Sequence, residues 1–157
     1  MQTVYIKTPL GTAEITGDVN GISSIIILDV EKEASIEIPQ HFELAVSELN
    51  DYFVSNRTDF KFKIEPHGTD FQKKVWQELR NIPFGKTISY MDLSKKLGDI
   101  KAIRAVASAN GKNPLWIVIP CHRVIGSDGS LTGYAGGLWR KKWLLEHENA
   151  LKQASLF

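Results

Sequence analysis

The apolar and polar positions follow two different patterns, one on each side of residue 66. Before it, short apolar or alternating runs are separated by turn residues, a pattern typical of a small β-sheet. The predicted strands lie at 4–7, 13–16, 22–28 and 59–64. One helix starts near Pro39, and its predicted apolar face consists of Phe42, Val46, Leu49 and Phe53. We therefore expect residues 1–66 to form a scaffold domain of sheet and helix.

From residue 67 onward, the apolar spacing becomes that of amphipathic helices. Thr69 with Gln72 is a capping box that begins the first helix, and Ser89 with Asp92 begins the second. Gly98 separates the second helix from a third at about 100–109, which gives the pair helix-turn-helix proportions. A last amphipathic helix is predicted at 138–148. Residues 67–157 are therefore expected to form a second, mainly helical domain.

A buried strand is predicted at 115–119, and it leads into Pro120, Cys121 and His122. Cys121 is the only cysteine of the chain. A thiol and an imidazole delivered together to a turn suit nucleophilic chemistry. A lone cysteine is more often a small buried apolar residue, and composition alone favours that interpretation. The residues around Cys121 are therefore needed to distinguish a nucleophile from a buried packing residue.

Composition limits the class of protein. The 157 residues are 43% hydrophobic, enough for one core or two small domains. No run of about 18 apolar residues exists, and the N-terminus lacks the basic-then-apolar pattern of a signal peptide. One cysteine excludes an internal disulfide and, without zinc-binding spacing among the histidines, argues against a metal site. We expect a protein of the cytoplasm with no membrane partner.

Charge is distributed unevenly, although the net charge is only +1. Residues 1–66 carry 5 basic and 11 acidic side chains, whereas residues 67–157 carry 14 basic and 7 acidic ones. Between Lys86 and Arg123 there are 7 lysines and arginines against 2 aspartates. This excess of positive charge in the second domain favours contact with nucleic-acid phosphates.

The predicted helix at 100–109 combines positive charge with a face of small residues. That face consists of Ala102, Ala105 and Ala109. Small side chains allow a close approach to another surface, and Arg104 could then reach phosphates or enter the base stack. The alternative is a helix packed on its own neighbour, with Arg104 solvated.

Several separated motifs resemble the O6-alkylguanine-DNA alkyltransferases, the methylated-DNA–protein-cysteine methyltransferases. They are Phe84-Gly85, Ile88-Ser89-Tyr90, Asn113-Pro114, Pro120-Cys121-His122-Arg123-Val124, Gly133-Tyr134-Ala135-Gly136-Gly137 and Leu144-Leu145-Glu146-His147-Glu148. The resemblance runs from about Thr69 to Glu148. It implies an α+β fold, with a small N-terminal ribonuclease-H-like sheet domain and a C-terminal, mainly helical domain containing a winged-helix-like helix-turn-helix.

The resemblance also implies three catalytic roles. Cys121 corresponds to the nucleophile that accepts the alkyl group. His122 resembles the base that keeps the thiol ionised through a water, and Glu148 resembles the carboxylate that orients the imidazole. This assignment suits the chemistry, because the thiolate and not the thiol is the nucleophile.

Seven further residues are expected at the DNA or the flipped base. They are Tyr90, Arg104, Asn113, Arg123, Val124, Tyr134 and Ala135. By resemblance, Arg104 takes the place of the extruded base, and Asn113 is the hinge between the recognition helix and the active-site strand. Tyr90 lies near the flipped nucleotide, and Val124 and Ala135 offer backbone groups to the base. Tyr134 is expected to form a wall of the pocket.

The implied activity is repair of double-stranded DNA containing O6-alkylguanine, and O4-alkylthymine is a second possible lesion. Each molecule would act once, as a monomer, with no cofactor, no metal and no obligate protein partner. One alternative is a cysteine–histidine hydrolase or transferase that turns over. The other is a non-catalytic sensor of alkylated DNA that uses the helix-turn-helix, and the presence of Cys121 argues against it.

Trp116 departs from the pattern, since many relatives carry proline there. We hypothesise that its indole narrows the pocket and favours methyl over bulky alkyl groups. The alternative is that Trp116 simply packs against the first domain.

Overall fold

A computed structural model describes residues 1–151, and the chain divides into two units. The first comprises Met1–His67 together with Pro114–Trp116, and the second comprises Gly68–Asn113 and the residues from Ile117 onward. The sequence predicts one boundary, at residue 66. The structure differs from this prediction in one short segment. Pro114–Trp116 belongs to the first unit, although the residues on both sides of it belong to the second. Residues 152–157 lie outside the described part of the chain.

The first unit is a three-stranded antiparallel sheet with one α-helix. The strands are β1 (Gln2–Thr8), β2 (Gly11–Asp18) and β3 (Gly21–Ile27), in that order in the sheet. A short 3-10 helix, Gln40–Phe42, leads into α1 (Glu43–Phe53). Apolar side chains from strands and helix form the core, among them Ile15, Ile25, Phe42, Leu49 and Tyr52.

The predicted strand at 59–64 does not form, apart from one bridge between Ile64 and Ile22. The reason is a buried carboxylate on α1. Glu48 accepts hydrogen bonds from the backbone N–H groups of Lys61 and Phe62, at 2.8 and 2.9 Å. Backbone groups that a strand would pair with a neighbour are thus satisfied by a side chain.

The second unit contains four α-helices and a minimal sheet. The helices are α2 (Asp70–Leu79), α3 (Tyr90–Lys96), α4 (Ile103–Gly111) and α5 (Leu138–His147). The sheet is a parallel pair of two-residue strands, β4 (Ile88–Ser89) and β5 (Val124–Ile125). Both predicted N-caps are confirmed: Thr69 and Gln72 form a capping box on α2, and the Ser89 hydroxyl accepts from the Asp92 N–H on α3.

Helices α3 and α4 form the predicted helix-turn-helix, but the small face of α4 is not as expected. Gly98 adopts a φ of 86° between the two helices, and a 3-10 turn, Ile100–Ala102, precedes α4. Ala105 is exposed, whereas Ala109 is buried and its carbonyl accepts a 2.9 Å hydrogen bond from the Trp76 indole. The predicted alanine face is therefore divided between solvent and the packing against α2.

The run at 115–119 is a buried turn segment and not the predicted strand. Leu115 forms one bridge with Ile25 in the first unit. Ile117 then adopts a φ of 76°, a left-handed conformation that is rare and strained for a β-branched residue. A residue in that conformation cannot continue an extended strand. The chain instead turns and reaches Cys121 at the start of a 3-10 helix.

The fold is mixed α+β, as predicted, with the three-stranded sheet in the first unit and most of the helix in the second. Within residues 1–151, no helix combines the length and the apolar character that crossing a membrane would require.

Candidate active site

Cys121 begins the 3-10 helix Cys121–Arg123, and Asn113 fixes the turn that leads into it. The thiol residue is buried, with 4% of its surface exposed. The Cys121 N–H donates to the Ile119 carbonyl at 2.8 Å, and the Asn113 side chain donates to the same carbonyl at 2.7 Å. Asn113 was predicted as a hinge. It lies at the end of α4 and hydrogen-bonds the backbone two residues before the nucleophile.

The surroundings of Cys121 favour the thiol over the thiolate while the site is closed. Burial raises the pKa of the thiol to about 11, and this is only partly offset by a hydrogen bond from Asn113 and the positive charge of Lys141. The sequence analysis gave His122 the task of keeping the thiol ionised through a water, and burial of Cys121 opposes that ionisation. Deprotonation has to accompany the reaction, which requires a proton acceptor close by.

His122 and Glu148 form a buried pair. His122 Nε2 lies 2.8 Å from Glu148 Oε2, and both side chains have no exposed surface. Because the carboxylate can only accept, Nε2 carries the proton and Nδ1 keeps its lone pair. Nδ1 is buried and has no hydrogen-bond partner within the described residues. The imidazole is thus held in the tautomer that can accept a proton at Nδ1.

Burial and pairing set the charges of this pair. Burial lowers the pKa of His122, which keeps the imidazole neutral, although the neighbouring Glu148 opposes that effect. Burial raises the pKa of the Glu148 carboxyl, but the charges and hydrogen bonds of His122 and Arg123 outweigh it and hold the pKa well below its usual range. The resting pair is therefore a neutral imidazole beside a carboxylate.

The structure turns the side chain of Arg123, which was predicted at the DNA or the flipped base, into the protein. Its Nε and Nη2 atoms lie 2.8 and 3.0 Å from the two oxygens of Glu148, and Nη1 donates to the Ile82 carbonyl at 2.7 Å. Only 6% of the surface of Arg123 is exposed, and its guanidinium donates to partners inside the protein. It holds the carboxylate that holds His122. A motif specifies the residue but not the direction of its side chain, so the sequence did not predict this contact with Glu148.

Lys141 is a functional candidate that the sequence analysis missed. It lies on α5, is fully buried, and donates to the carbonyls of Val124 and Thr132 at 2.6 and 2.8 Å. Burial lowers its pKa to about 8, and the nearby Cys121 partly opposes this. Its neighbour Lys142 is exposed, and a basic pair on a helix does not reveal which member points inward.

A cavity of about 630 Å³ lies beside this turn, between α4 and the glycine-rich loop before α5. Its lining residues are Tyr90, Ile103, Arg104, Ala107, Asn110, Gly111, Thr132, Gly133, Tyr134 and Ala135. Four of the predicted base or DNA residues are thus brought together, namely Tyr90, Arg104, Tyr134 and Ala135. Trp116 is not among them. Trp116 belongs to the first unit, where its backbone N–H donates to the Ile25 carbonyl at 3.0 Å.

Three cavity residues differ in what they present. Arg104 is exposed on α4. The Tyr90 hydroxyl donates to the Thr132 carbonyl at 3.3 Å, and burial raises its pKa. Burial and the charge of Cys121 also raise the pKa of Tyr134. The two phenols are therefore neutral hydrogen-bonding walls.

Val124 lies behind this cavity and does not line it. Its side chain is fully buried in β5, and its carbonyl already accepts from Lys141. A carbonyl has a second lone pair, but the structure brings Val124 to Lys141 and not to the open part of the cavity.

The His122–Glu148 pair should make the protein sensitive to acid. Both pKa values are lower in the folded chain than their ordinary values of 6.5 and 4.5. The unfolded chain therefore binds more protons as pH falls, and folding stability is lost progressively below 6.5 and again below 4.5. We expect the urea concentration at the midpoint of unfolding to decrease as the pH is lowered from 8 to 5. His122→Gln should remove the part of the decline around pH 6, and a wild-type midpoint that stays constant over this range would contradict the prediction.

Comparisons with known proteins agree with this geometry. Residues 70–150 match the family described as 6-O-methylguanine DNA methyltransferase, DNA binding domain. The methylated-DNA–protein-cysteine methyltransferase of Methanosarcina acetivorans is 40% identical over 157 residues, which cover 96% of this chain and 99% of that protein. The chain belongs to this family. The corresponding Methanosarcina barkeri protein is 43% identical, with 94% and 97% covered.

Solved structures of the family extend the similarity to three dimensions. The Mycobacterium tuberculosis O6-methylguanine methyltransferase is 40% identical, with a TM-score of 0.83 over 95% of this chain and 94% of that one. A structure of Mycobacterium tuberculosis OGT in complex with DNA gives a TM-score of 0.84 at 40% identity, over 93% and 91% of the two chains. The resemblance found in the sequence is confirmed, and the match to the DNA-binding domain, residues 70–150, covers most of the second unit.

Proposed function

We propose that this protein repairs DNA by transferring an alkyl group from guanine O6 to Cys121, once per molecule. The observation that carries the proposal is the buried thiol of Cys121 next to the ordered His122–Glu148 pair, in the unit that matches the family's DNA-binding domain. Transfer forms a bond between Sγ and the alkyl carbon and breaks the bond between that carbon and O6. A thioether has no easy route back to a thiolate, so the protein is consumed.

Proton movement accompanies this displacement. The thiol proton passes to the free Nδ1 of His122, through a bridging water, and Glu148 stabilises the imidazolium that results. Guanine departs with its electrons on the O6–N1 system and takes up one proton from water, and the imidazolium of His122 returns its proton to water. The net change is thiol plus alkylguanine to thioether plus guanine, so atoms and charge balance without a metal or an organic cofactor.

The target base has to leave the duplex to meet a buried thiol, which costs a few kcal/mol. The cavity beside α4 supports this step, because it has space for an extruded base and carries an exposed arginine at its edge. We propose double-stranded DNA with O6-alkylguanine as the partner and a monomer as the acting form, since all the reacting groups come from one chain. A free thiol also favours a reducing compartment such as the cytoplasm.

Replacing Arg104 with alanine tests the flipping step. If the guanidinium fills the gap left by the base, its loss should slow transfer from a duplex by roughly 10- to 100-fold and leave transfer from free O6-alkylguanine almost unchanged. Single-turnover rates on the two substrates measure this. Lys142→Ala, a loss of exposed charge on α5, is the control. Equal slowing on duplex and free base would contradict the role.

One experiment separates the proposed activity from its rivals. The protein is incubated with a duplex containing one O6-methylguanine, and the mass of the peptide containing Cys121 is measured by mass spectrometry. A stoichiometric gain of one methyl group supports self-alkylation. Binding with no gain in mass supports the sensor, and release of product over many cycles supports a hydrolase.

A further inference from the structure

Asn110 has a buried side-chain amide at the cavity. No step of the proposed alkyl transfer involves this amide. It lies near the end of α4, lines the cavity, and has 3% of its surface exposed. Its Nδ2 atom lies 3.5 Å from the Cys121 carbonyl oxygen. Its Oδ1 atom is buried and has no hydrogen-bond partner within residues 1–151. Asn110 thus connects the backbone of the nucleophile to the cavity and leaves one acceptor unused.

The orientation of this amide follows from its neighbours. The Cys121 carbonyl is an acceptor, so the amide must turn its N–H group toward it and its oxygen away. The Tyr90 hydroxyl donates its single proton to the Thr132 carbonyl, so it can only accept from the Asn110 amide in their hydrogen bond. The Lys141 ammonium group donates to the carbonyls of Val124, Thr132 and Gly133. Neither Tyr90 nor Lys141 therefore supplies a proton to Oδ1, which has no hydrogen-bond partner within the described residues.

An unpaired buried acceptor costs about 1–3 kcal/mol, so a ligand that brings a donor to this position gains that free energy. O6-alkylguanine offers few donors on its pairing edge. O6 carries the alkyl group, and N1 has lost its hydrogen and is an acceptor. The exocyclic 2-amino group is the donor that remains.

We propose that Asn110 reads the base, with its Oδ1 accepting a hydrogen bond from the 2-amino group of the flipped O6-alkylguanine. This inference rests on the proposed function and adds a specificity residue to it. The same side chain holds the Cys121 carbonyl through Nδ2, so recognition of the base is joined to the position of the nucleophile. A base without the 2-amino group leaves Oδ1 buried and unpaired, and a site built for a hydrogen bond rejects such an analogue.

The test compares two duplexes that differ in one group, O6-methylguanine and O6-methylhypoxanthine, which lacks the 2-amino group. We expect the wild-type protein to transfer methyl from guanine at least about tenfold faster. Asn110→Leu, which has a similar size and no acceptor, should reduce this ratio to near one. Asn110→Asp keeps an acceptor and should keep the ratio, even if both rates fall. Asn81→Leu, at an exposed asparagine outside the cavity, should leave the ratio at the wild-type value.

The free energy of flipping each base is a property of the DNA and is the same for every variant. A difference between variants in the ratio of the two transfer rates therefore does not come from flipping. A folded Asn110→Leu protein with the wild-type ratio would overturn the inference. If that variant does not fold, a wild-type ratio near one overturns it without any variant. If the wild-type protein gains no methyl group from either duplex, the proposed function itself has failed, and that outcome is distinct from both.

Discussion

Replacing Cys121 with serine is expected to abolish alkyl transfer while DNA binding is retained. A serine hydroxyl is far less acidic than a thiol, and the neutral His122 cannot hold its proton well enough to generate an alkoxide. The two side chains are nearly equal in size, and a serine oxygen can accept the hydrogen bond that Asn113 gives to the sulfur. Mass spectrometry of the Cys121-containing peptide after incubation with an O6-methylguanine duplex should show no gain.

The same variant should bind the alkylated duplex with an affinity close to that of the wild-type protein before reaction. Binding depends on α4, on phosphate contacts and on the cavity, none of which contains the sulfur. Fluorescence anisotropy at two salt concentrations measures the affinity and its electrostatic part. A methyl group found on another residue of Cys121→Ser would contradict Cys121 as the acceptor. Loss of binding in a folded variant would contradict the separation of recognition from chemistry.

Local signals predicted the features that depend on neighbours in sequence. The capping box at Thr69 and Gln72, the cap at Ser89 and the turn at Gly98 all involve residues within a few positions of one another. Such features follow from backbone chemistry and need no knowledge of the rest of the fold. The sequence therefore predicts the helices of the second unit well.

Features that depend on distant partners were not predictable in the same way. The strand expected at 59–64 is replaced by hydrogen bonds to Glu48, and the strand expected at 115–119 is interrupted by the conformation of Ile117. An apolar run reports that a segment is buried, but not whether a strand lies beside it. Burial of the run was predicted correctly, and its conformation was not.

The site shows the same limit in its side chains. Cys121, His122 and Glu148 were identified through motifs, and the structure brings the last two into contact across 26 residues. Arg123 was expected at the DNA or the flipped base and Lys141 was not singled out, yet both side chains are buried and hydrogen-bonded inside the protein. Asn110 carries no signal in sequence, because an asparagine late in a helix is ordinary. The role that we propose for Asn110 rests on an unpaired oxygen that only the three-dimensional structure reveals.

Replacing Arg123 with methionine is expected to destabilise the protein strongly. The change leaves the Glu148 carboxylate buried without its two guanidinium hydrogen bonds, and leaves the Ile82 carbonyl without its donor. Removing one partner of a buried ion pair costs about 3–5 kcal/mol. Urea denaturation at neutral pH should show a loss of that size in the free energy of unfolding. Glu148→Gln in the same background should recover part of it, because the uncompensated charge is then removed.

Arg104→Met is the matched control, because it makes the same change at an exposed arginine. It should alter the free energy of unfolding by no more than about 0.5 kcal/mol and should slow transfer from duplex DNA. The two arginines are thus expected to show opposite phenotypes, one in stability and one on DNA. If Arg123→Met were as stable as the wild-type protein and weakened DNA binding, Arg123 would belong to the DNA surface after all. The carboxylate that orients His122 would then need another source of compensation, because His122 and Arg123 are the groups that hold its pKa low.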